Sequence, residues 1–420
     1  MFKSVHQRNW FAFFMDYTFF GLGLVFVNAN TILAAFTATL TTSKVIVGLA
    51  PAIWYGAWLI PQLFAARYLA HQPRKFGYMI WGSIIGRPAF WVLAILLVSG
   101  VLAEQKIILL IVFFISLAWF GGIDAFVAVA FFDILGRALD SKARAQVASS
   151  SIIVNSLIAI GAGALVGYLF SSSGPAYPIN FAITFTLGGI CFFISLAGLF
   201  FIVEPHESAA PTQVHQKESS LTPLWNDKIF MRANVVRVLG GLSGLAIPFY
   251  VLHATQEAKL DPQIIGGFAA VGSIGAAFAG IILGKVAEKF GAHRVFQIST
   301  WLSLLPPLIG LGLTLTPASA ASTWVYIVCY LIIGMVEGSV VIGFFNYIID
   351  LAPAPMRTTY IGLTNTIGGL LILPPIIGGW ILDSSSYLIL FSITLLGVAA
   401  AGAAAFGLKS AHSRAETPQT

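Results

Sequence analysis

From Lys106 the chain reads KIILLIVFFISLAWFGGIDAFVAVAFFDILGR as far as Arg137. Between those basic ends only Asp124 and Asp133 carry charge, and no proline interrupts the stretch. A bilayer-spanning helix needs about 20 mostly apolar residues. A barrel strand would instead show short segments alternating apolar and polar. The stretch reads as a membrane helix. The rest of the chain has the same character: of 420 residues 58% are hydrophobic and only 9% are charged, against about 25% charged in an ordinary soluble domain. That balance excludes a soluble enzyme, a nucleic-acid-binding domain and a disordered tail, and predicts a polytopic membrane protein.

Working outward gives twelve such runs, near 10–38, 45–66, 76–101, 107–135, 146–170, 178–203, 231–254, 263–284, 294–316, 322–349, 358–382 and 386–408. The first carries Asp16 and leads directly into the second, so it is expected to be a span and not a cleaved signal peptide. Of 22 Lys and Arg, 17 fall at the two ends and in one set of alternate loops, whereas the other loops hold only Lys44, Lys106 and Lys259. This bias places both termini on the cytoplasmic side of a cell membrane. The net charge of +6 is thereby read as topology and not as a nucleic-acid surface. Cys191 and Cys329 lie far apart inside apolar runs and predict neither a disulfide nor a metal site.

The one long polar stretch, Glu204 to Lys228, divides the runs six and six. The predicted domains are an N-terminal bundle 1–203, a cytoplasmic linker 204–228, a C-terminal bundle 229–408 and a tail 409–420. Offset comparison supports a duplication. At 213 residues Gly121 falls on Gly334, Asp124 on Glu337, Phe131-Phe132 on Phe344-Phe345, Asp133 on Asn346 and Arg144 on Arg357. At 218, Ile46-Val47-Gly48 falls on Ile264-Ile265-Gly266, and Arg67 on Lys285. Repeats of this kind are a common plan of secondary transporters.

Residues 284–294, GKVAEKFGAHR, resemble the loop motif of the major facilitator superfamily, G-x-x-x-[DE]-[RK]-x-G-x-[RK]-[RK]. Gly284, Glu288, Lys289, Gly291 and Arg294 match it, and His293 replaces one terminal basic residue. The counterpart after the second run is degenerate, with Ala66, Ala70 and Pro73 at the Gly, Asp and Gly positions and basic Arg67, Arg74 and Lys75 kept. The resemblance implies an all-α membrane fold of twelve transmembrane helices in two pseudo-symmetric six-helix bundles. It implies that runs 1, 4, 7 and 10 line a central cavity, that runs 2, 5, 8 and 11 join the halves, and that the loop latches the cytoplasmic side. Gly291 allows a tight turn there, and Glu288 can pair with a nearby cation.

An ionisable group at mid-membrane costs roughly 2.5–3.5 kcal/mol on insertion scales, so such groups mark function by default. The chain keeps Asp16, Arg87, Asp124, Arg237 and Glu337 within its runs. At 100° per residue Asp16 shares a face with Phe20, Gly23, Val27 and Asn30, and Asp124 with Gly121, Ala128 and Phe131. Arg237 shares one with Asn234, Gly241, Gly244 and Pro248. Asp16, Asn30, Asp124, Arg237 and Glu337 are therefore the candidate substrate and proton cavity, with Arg87 a supporting charge. The alternative for Asp16 and Arg237, both roughly two turns from the cytoplasmic boundary, is a structural ion pair that locks the bundle. Asp133 is expected to pair with the basic loop around Arg67 and Arg74. Trp54, Tyr55, Trp58 and Phe20 read first as lipid-facing, His253 as a wet interfacial histidine, and Pro374-Pro375 as a hinge. The small stripe Gly272, Ala276, Gly280 and Gly284 reads as helix packing that permits rocking.

These features predict a secondary active transporter that moves a small solute by alternating access, with Asp124 or Glu337 carrying the coupling proton. The partners expected are the solute, protons and the lipid bilayer, with no nucleic acid, no cofactor, no metal and a monomeric chain. No phosphate loop G-x-x-x-x-G-K-[ST] and no hydrolase motif occurs. A uniporter, a drug-type exporter and a non-transporting sensor remain the alternatives.

Overall fold

The computed structural model describes residues 4–70, 72–102, 104–205, 222–317, 319–353 and 356–408. Most of the expected linker and the whole expected tail lie outside these residues. Among the described residues twelve helices are long and apolar enough to cross a membrane. They are α1 (Val5–Leu40), α2 (Lys44–Leu69), α3 (Phe76–Ser99), α4 (Lys106–Ala138), α5 (Lys142–Phe170), α6 (Ile179–Leu199), α7 (Lys228–Glu257), α8 (Ile264–Phe290), α9 (Ala292–Leu315), α10 (Ala321–Leu351), α11 (Tyr360–Ser384) and α12 (Tyr387–Ala405).

The polar residues between the runs start the helices. Asp140 accepts the Ala143 N–H at 2.7 Å before α5, Asp227 that of Phe230 at 3.2 Å within the first turn of α7, and Ser4 that of Gln7 at 3.2 Å before α1. Each satisfies an N–H that the first helical turn leaves without a partner. The turn from α8 to α9 is made at Gly291, whose φ of +85° is strained for any residue with a Cβ, as the loop motif implies.

The chain forms two compact units, Met1–Pro211 with Leu260–Ala270, and Thr212–Lys259 with Val271–Thr420. In the first, α1 packs on α5 and α6, α3 on α4 and α6, and α2 on α4. The second repeats the pattern six helices later: α7 packs on α11 and α12, and α9 on α10 and α12. The glycine pair found by offset comparison does the same work in both. A Cβ on Gly121 would stand 3.1 Å from that of Ala57 and 3.4 Å from the Trp54 carbonyl of α2, and one on Gly334 would collide with the Gly272 backbone of α8. Both glycines let two backbones touch.

The small stripe on α8, read from sequence as helix packing, makes that contact along half of its length. Gly272 and Ala276 face Gly334 and Gly338 of α10 inside one unit, whereas a Cβ at Gly280 or Gly284 would meet open space. Several helices are interrupted. Turns of π-helix occupy Ala29–Leu33 in α1, His253–Glu257 in α7 and Val341–Phe345 in α10. α3 breaks at Arg87-Pro88, and α11 passes through the 3₁₀ turn Gly369–Ile372 before restarting at Pro374, where the sequence predicts a hinge.

Candidate functional site

In the first unit the break in α3 presents Arg87 to the inside of the bundle, where it is 3% exposed. Its Nη2 donates to Asp16 Oδ1 of α1 at 3.3 Å, and its Nη1 donates to the Phe192 carbonyl of α6. Ser195 Oγ of α6 donates to the same Asp16 oxygen, and the guanidinium lies 5.7 Å from the centre of the Phe20 ring. The partner of Asp16 is therefore Arg87, not Arg237 as the structural ion-pair reading has it. Only 7% of Asp16 is exposed, so this charge is neutralised within the helix packing. Further along its helical stripe Gly23 packs on the Phe192 ring and Val27 on Gly188, both of α6.

Asp124 is placed differently. It is half-buried on α4, and it accepts a hydrogen bond from Trp58 Nε1 of α2 at 3.1 Å. Among the described residues no cation lies within ion-pair distance of it. Asp16, Arg87 and Asp124 line one cavity of about 310 Å³ together with Tyr17, Phe20, Trp54, Tyr55, Trp58, Phe120 and Phe131. The four aromatics read from sequence as lipid-facing all belong to its wall. The wall exists because α2 and α4 touch at Gly121, so that Trp54 and Trp58 are held against Phe120 and Asp124; Trp54 and Phe120 stack with centroids 5.5 Å apart. Asn30 stands behind this wall, buried in the π-helical turn of α1, where its Nδ2 donates to the Tyr55 hydroxyl at 3.3 Å.

The second unit spends its polar groups otherwise. Arg237 of α7 lies over the Phe344 ring of α10 at 5.3 Å and has no carboxylate within ion-pair distance among the described residues. Gly241 and Gly244, which share its face, pack on Leu371 and Pro374 of α11. Glu337 is exposed on α10, beside the glycine that packs on Ala276. His253 is not the wet interfacial residue expected but is 4% exposed. Its Nδ1 meets the Tyr326 hydroxyl and its Nε2 the Thr314 hydroxyl at 3.3 Å, and the Tyr387 ring lies edge-on at 4.7 Å. Thr314 gives its single hydroxyl proton to the Gly310 carbonyl at 2.8 Å. An imidazole that donates from Nε2 to Thr314 and accepts from Tyr326 at Nδ1 matches both contacts.

At the far end of α4 lies a third polar group. Asp133 pairs with Lys75 at 2.9 Å and with Arg137 at 2.6 Å, and Arg137 reaches Glu204 at 2.8 Å. The expected partner loop is right, but Lys75 supplies the ion pair in place of Arg67 or Arg74; both arginines are exposed. Glu204, which the sequence reading has only as the edge of the linker, also accepts the N–H groups of Lys75 and Phe76 at 2.9 and 3.1 Å and so caps α3. Burial alone would raise its pKa, but these N–H bonds and Arg137 outweigh it and hold the carboxyl below its ordinary value. The available signal was an acid immediately after an apolar run. In the other loop Glu288 is exposed with no ion pair among the described residues, Lys289 lies 5.2 Å over the Phe290 ring, and Arg294 donates to Gln297 at 3.0 Å.

The comparisons agree with this architecture. The structure of the nucleoside transporter NupG matches with a TM-score of 0.63 at 12% identity, over 96% of this chain and 98% of that one. An auto-inhibited POT-family peptide transporter matches at 0.64 and 13%, over 96% and 97%. A bacterial metal transporter matches at 0.62 and 14%, over 96% and 98%. Likeness at such identities speaks for the fold alone. No curated protein matches the sequence. The family model described as Major Facilitator Superfamily matches residues 10–374 and 238–420, nearly the whole length. With its twelve apolar helices, its repeated packing and that match, the chain belongs to the Major Facilitator Superfamily, a family of membrane transporters.

Proposed function

We propose that the protein is a proton-coupled secondary active transporter, moving one small solute by alternating access between bundles 1–203 and 229–408, in a cell membrane with both ends cytoplasmic. The observation that supports it best is Asp124, a carboxylate with no cation at ion-pair distance among the described residues, facing a cavity of solute size. A carboxyl group there can hold a proton or release it without breaking a structural bridge. Asp16 is poorly suited, because Arg87 and Ser195 already engage it. Glu337 occupies the matching position of the second unit and is accessible, which suits a second protonation site. We assign Arg67, Asp133, Gly284, Glu288, Lys289, Gly291 and Arg294 to the cytoplasmic gate, and take the working unit to be a monomer.

The test uses proteoliposomes with a trapped pH dye and a mixed solute library. Wild type should couple uptake or release of one solute class to proton movement. Asp124→Asn and Glu337→Gln should each lower that coupled flux at least about tenfold, an equivalent of 1.4 kcal/mol in the proton-linked step. Solute movement without proton movement would make the protein a uniporter. Unchanged coupling in both variants would remove these carboxylates from the mechanism.

A further inference from the structure

The charge balance of the first unit's cavity says what it can hold. Three ionisable groups of opposite sign line it: Asp16, Arg87 and Asp124. Asp16 and Arg87 cancel, and both are more than nine-tenths buried. The negative charge left over is that of Asp124, whose hydrogen-bond donor is the neutral Trp58 indole. Around it the wall is aromatic: Trp54, Tyr55, Trp58, Phe20 and Phe120. An aromatic face attracts a cation within about 6 Å of its centroid, and the attraction is strongest where water is excluded. A sugar-like ligand would need several hydrogen-bond partners from a wall that is mostly aromatic and aliphatic. An anion would meet the Asp124 carboxylate.

From this we propose that the cavity binds a lipophilic organic cation, an amine or quaternary ammonium group joined to a ring, with its charge beside Asp124 and its apolar body among Trp54, Tyr55 and Phe120. The assignment deepens the transport reading above and rests on it for physiological meaning. It also names what the proton would exchange with at Asp124.

Binding is measured on the full-length protein in lipid nanodiscs with three probes of similar size: benzyltrimethylammonium, its uncharged carbon isostere neopentylbenzene, and the anion 3-phenylpropionate. Empty nanodiscs report partition into lipid. The cation should bind saturably and roughly tenfold or more tighter than either other probe, the equivalent of one charge-assisted contact. Asp124→Asn should abolish that preference, Asp124→Glu should keep it, and Trp54→Leu should weaken all ring-bearing probes together. Equal or tighter binding of the neutral or anionic probe to wild type overturns the proposal, and that comparison needs no variant to fold. A cation preference that survives Asp124→Asn overturns it as well. Failure here is separable from failure of the transport reading. Proton-coupled movement of another solute class with no cation binding would sink the substrate class alone. Saturable cation binding with no movement of any solute would sink transport alone.

Discussion

The two units share one packing plan but handle polarity in opposite ways. In the first, charge sits beside open space: a neutralised Asp16–Arg87 pair forms the back of a cavity and Asp124 faces into it. In the second, the polar centre around His253 is sealed. Both imidazole nitrogens are engaged, and the ring is wedged among Tyr326, Tyr387 and Phe391. The internal repeat supplies a common scaffold of crossings, such as those at Gly121 and Gly334. It does not fix which residues fill it. A buried charge needs a countercharge supplied by another helix, whereas a histidine can satisfy itself with neutral hydroxyls. The first solution leaves room for a guest; the second fills the space with rings.

The sharpest way to break this contrast is to unpair the first unit. Arg87→Leu leaves Asp16 buried without its cation and should cost about 3–5 kcal/mol, read as a large fall in the thermal unfolding midpoint in detergent. Adding Asp16→Asn to that variant should recover most of the loss. A single variant as stable as wild type would mean that the pair contributes nothing.

The second unit should respond more mildly. His253→Phe keeps the ring packing but removes the imidazole nitrogens that meet the Tyr326 and Thr314 hydroxyls, at a cost of about 1–3 kcal/mol. His253→Gln should restore part of it. Neither should alter probe binding at the first unit's cavity; a change there would show that the two centres are coupled.

The smallest effect belongs to Glu204, which is tied to Arg137 and to the start of α3. Its pKa is lower folded than unfolded. Its contribution is therefore complete above the ordinary glutamate value of about 4.3 and is lost as pH falls through the lower folded-state value. The unfolding midpoints of wild type and Glu204→Gln, compared across pH, should differ at neutrality and converge in acid. A constant gap would assign the bond to shape and not to charge.

How far the sequence carries can be judged at single residues. Twelve spans, the duplication and the Gly291 turn were legible because each rests on local pattern: an apolar run, a fixed offset, a glycine where φ must be positive. Asp124 was legible as an intramembrane acid, since its cost alone marks it. The partner of Asp16 was not. Depth along the membrane suggested Arg237, but ion pairing depends on which helices adjoin, and Arg87 reaches α1 from the broken turn of α3 at Pro88, beside α6. Trp54 and Trp58 misled for the same reason, because an aromatic residue on a membrane helix looks alike whether lipid or a neighbouring helix faces it.

The sequence by itself determined that this is a duplicated, twelve-helix membrane protein with acids and bases kept inside its spans, because hydrophobicity and periodicity are properties of short segments. Only the tertiary structure decided which charges cancel, which carboxylate is left facing a cavity and which histidine is sealed. Those outcomes depend on side chains that meet from helices far apart in the chain, and in a medium without water each such meeting determines whether a polar group is satisfied.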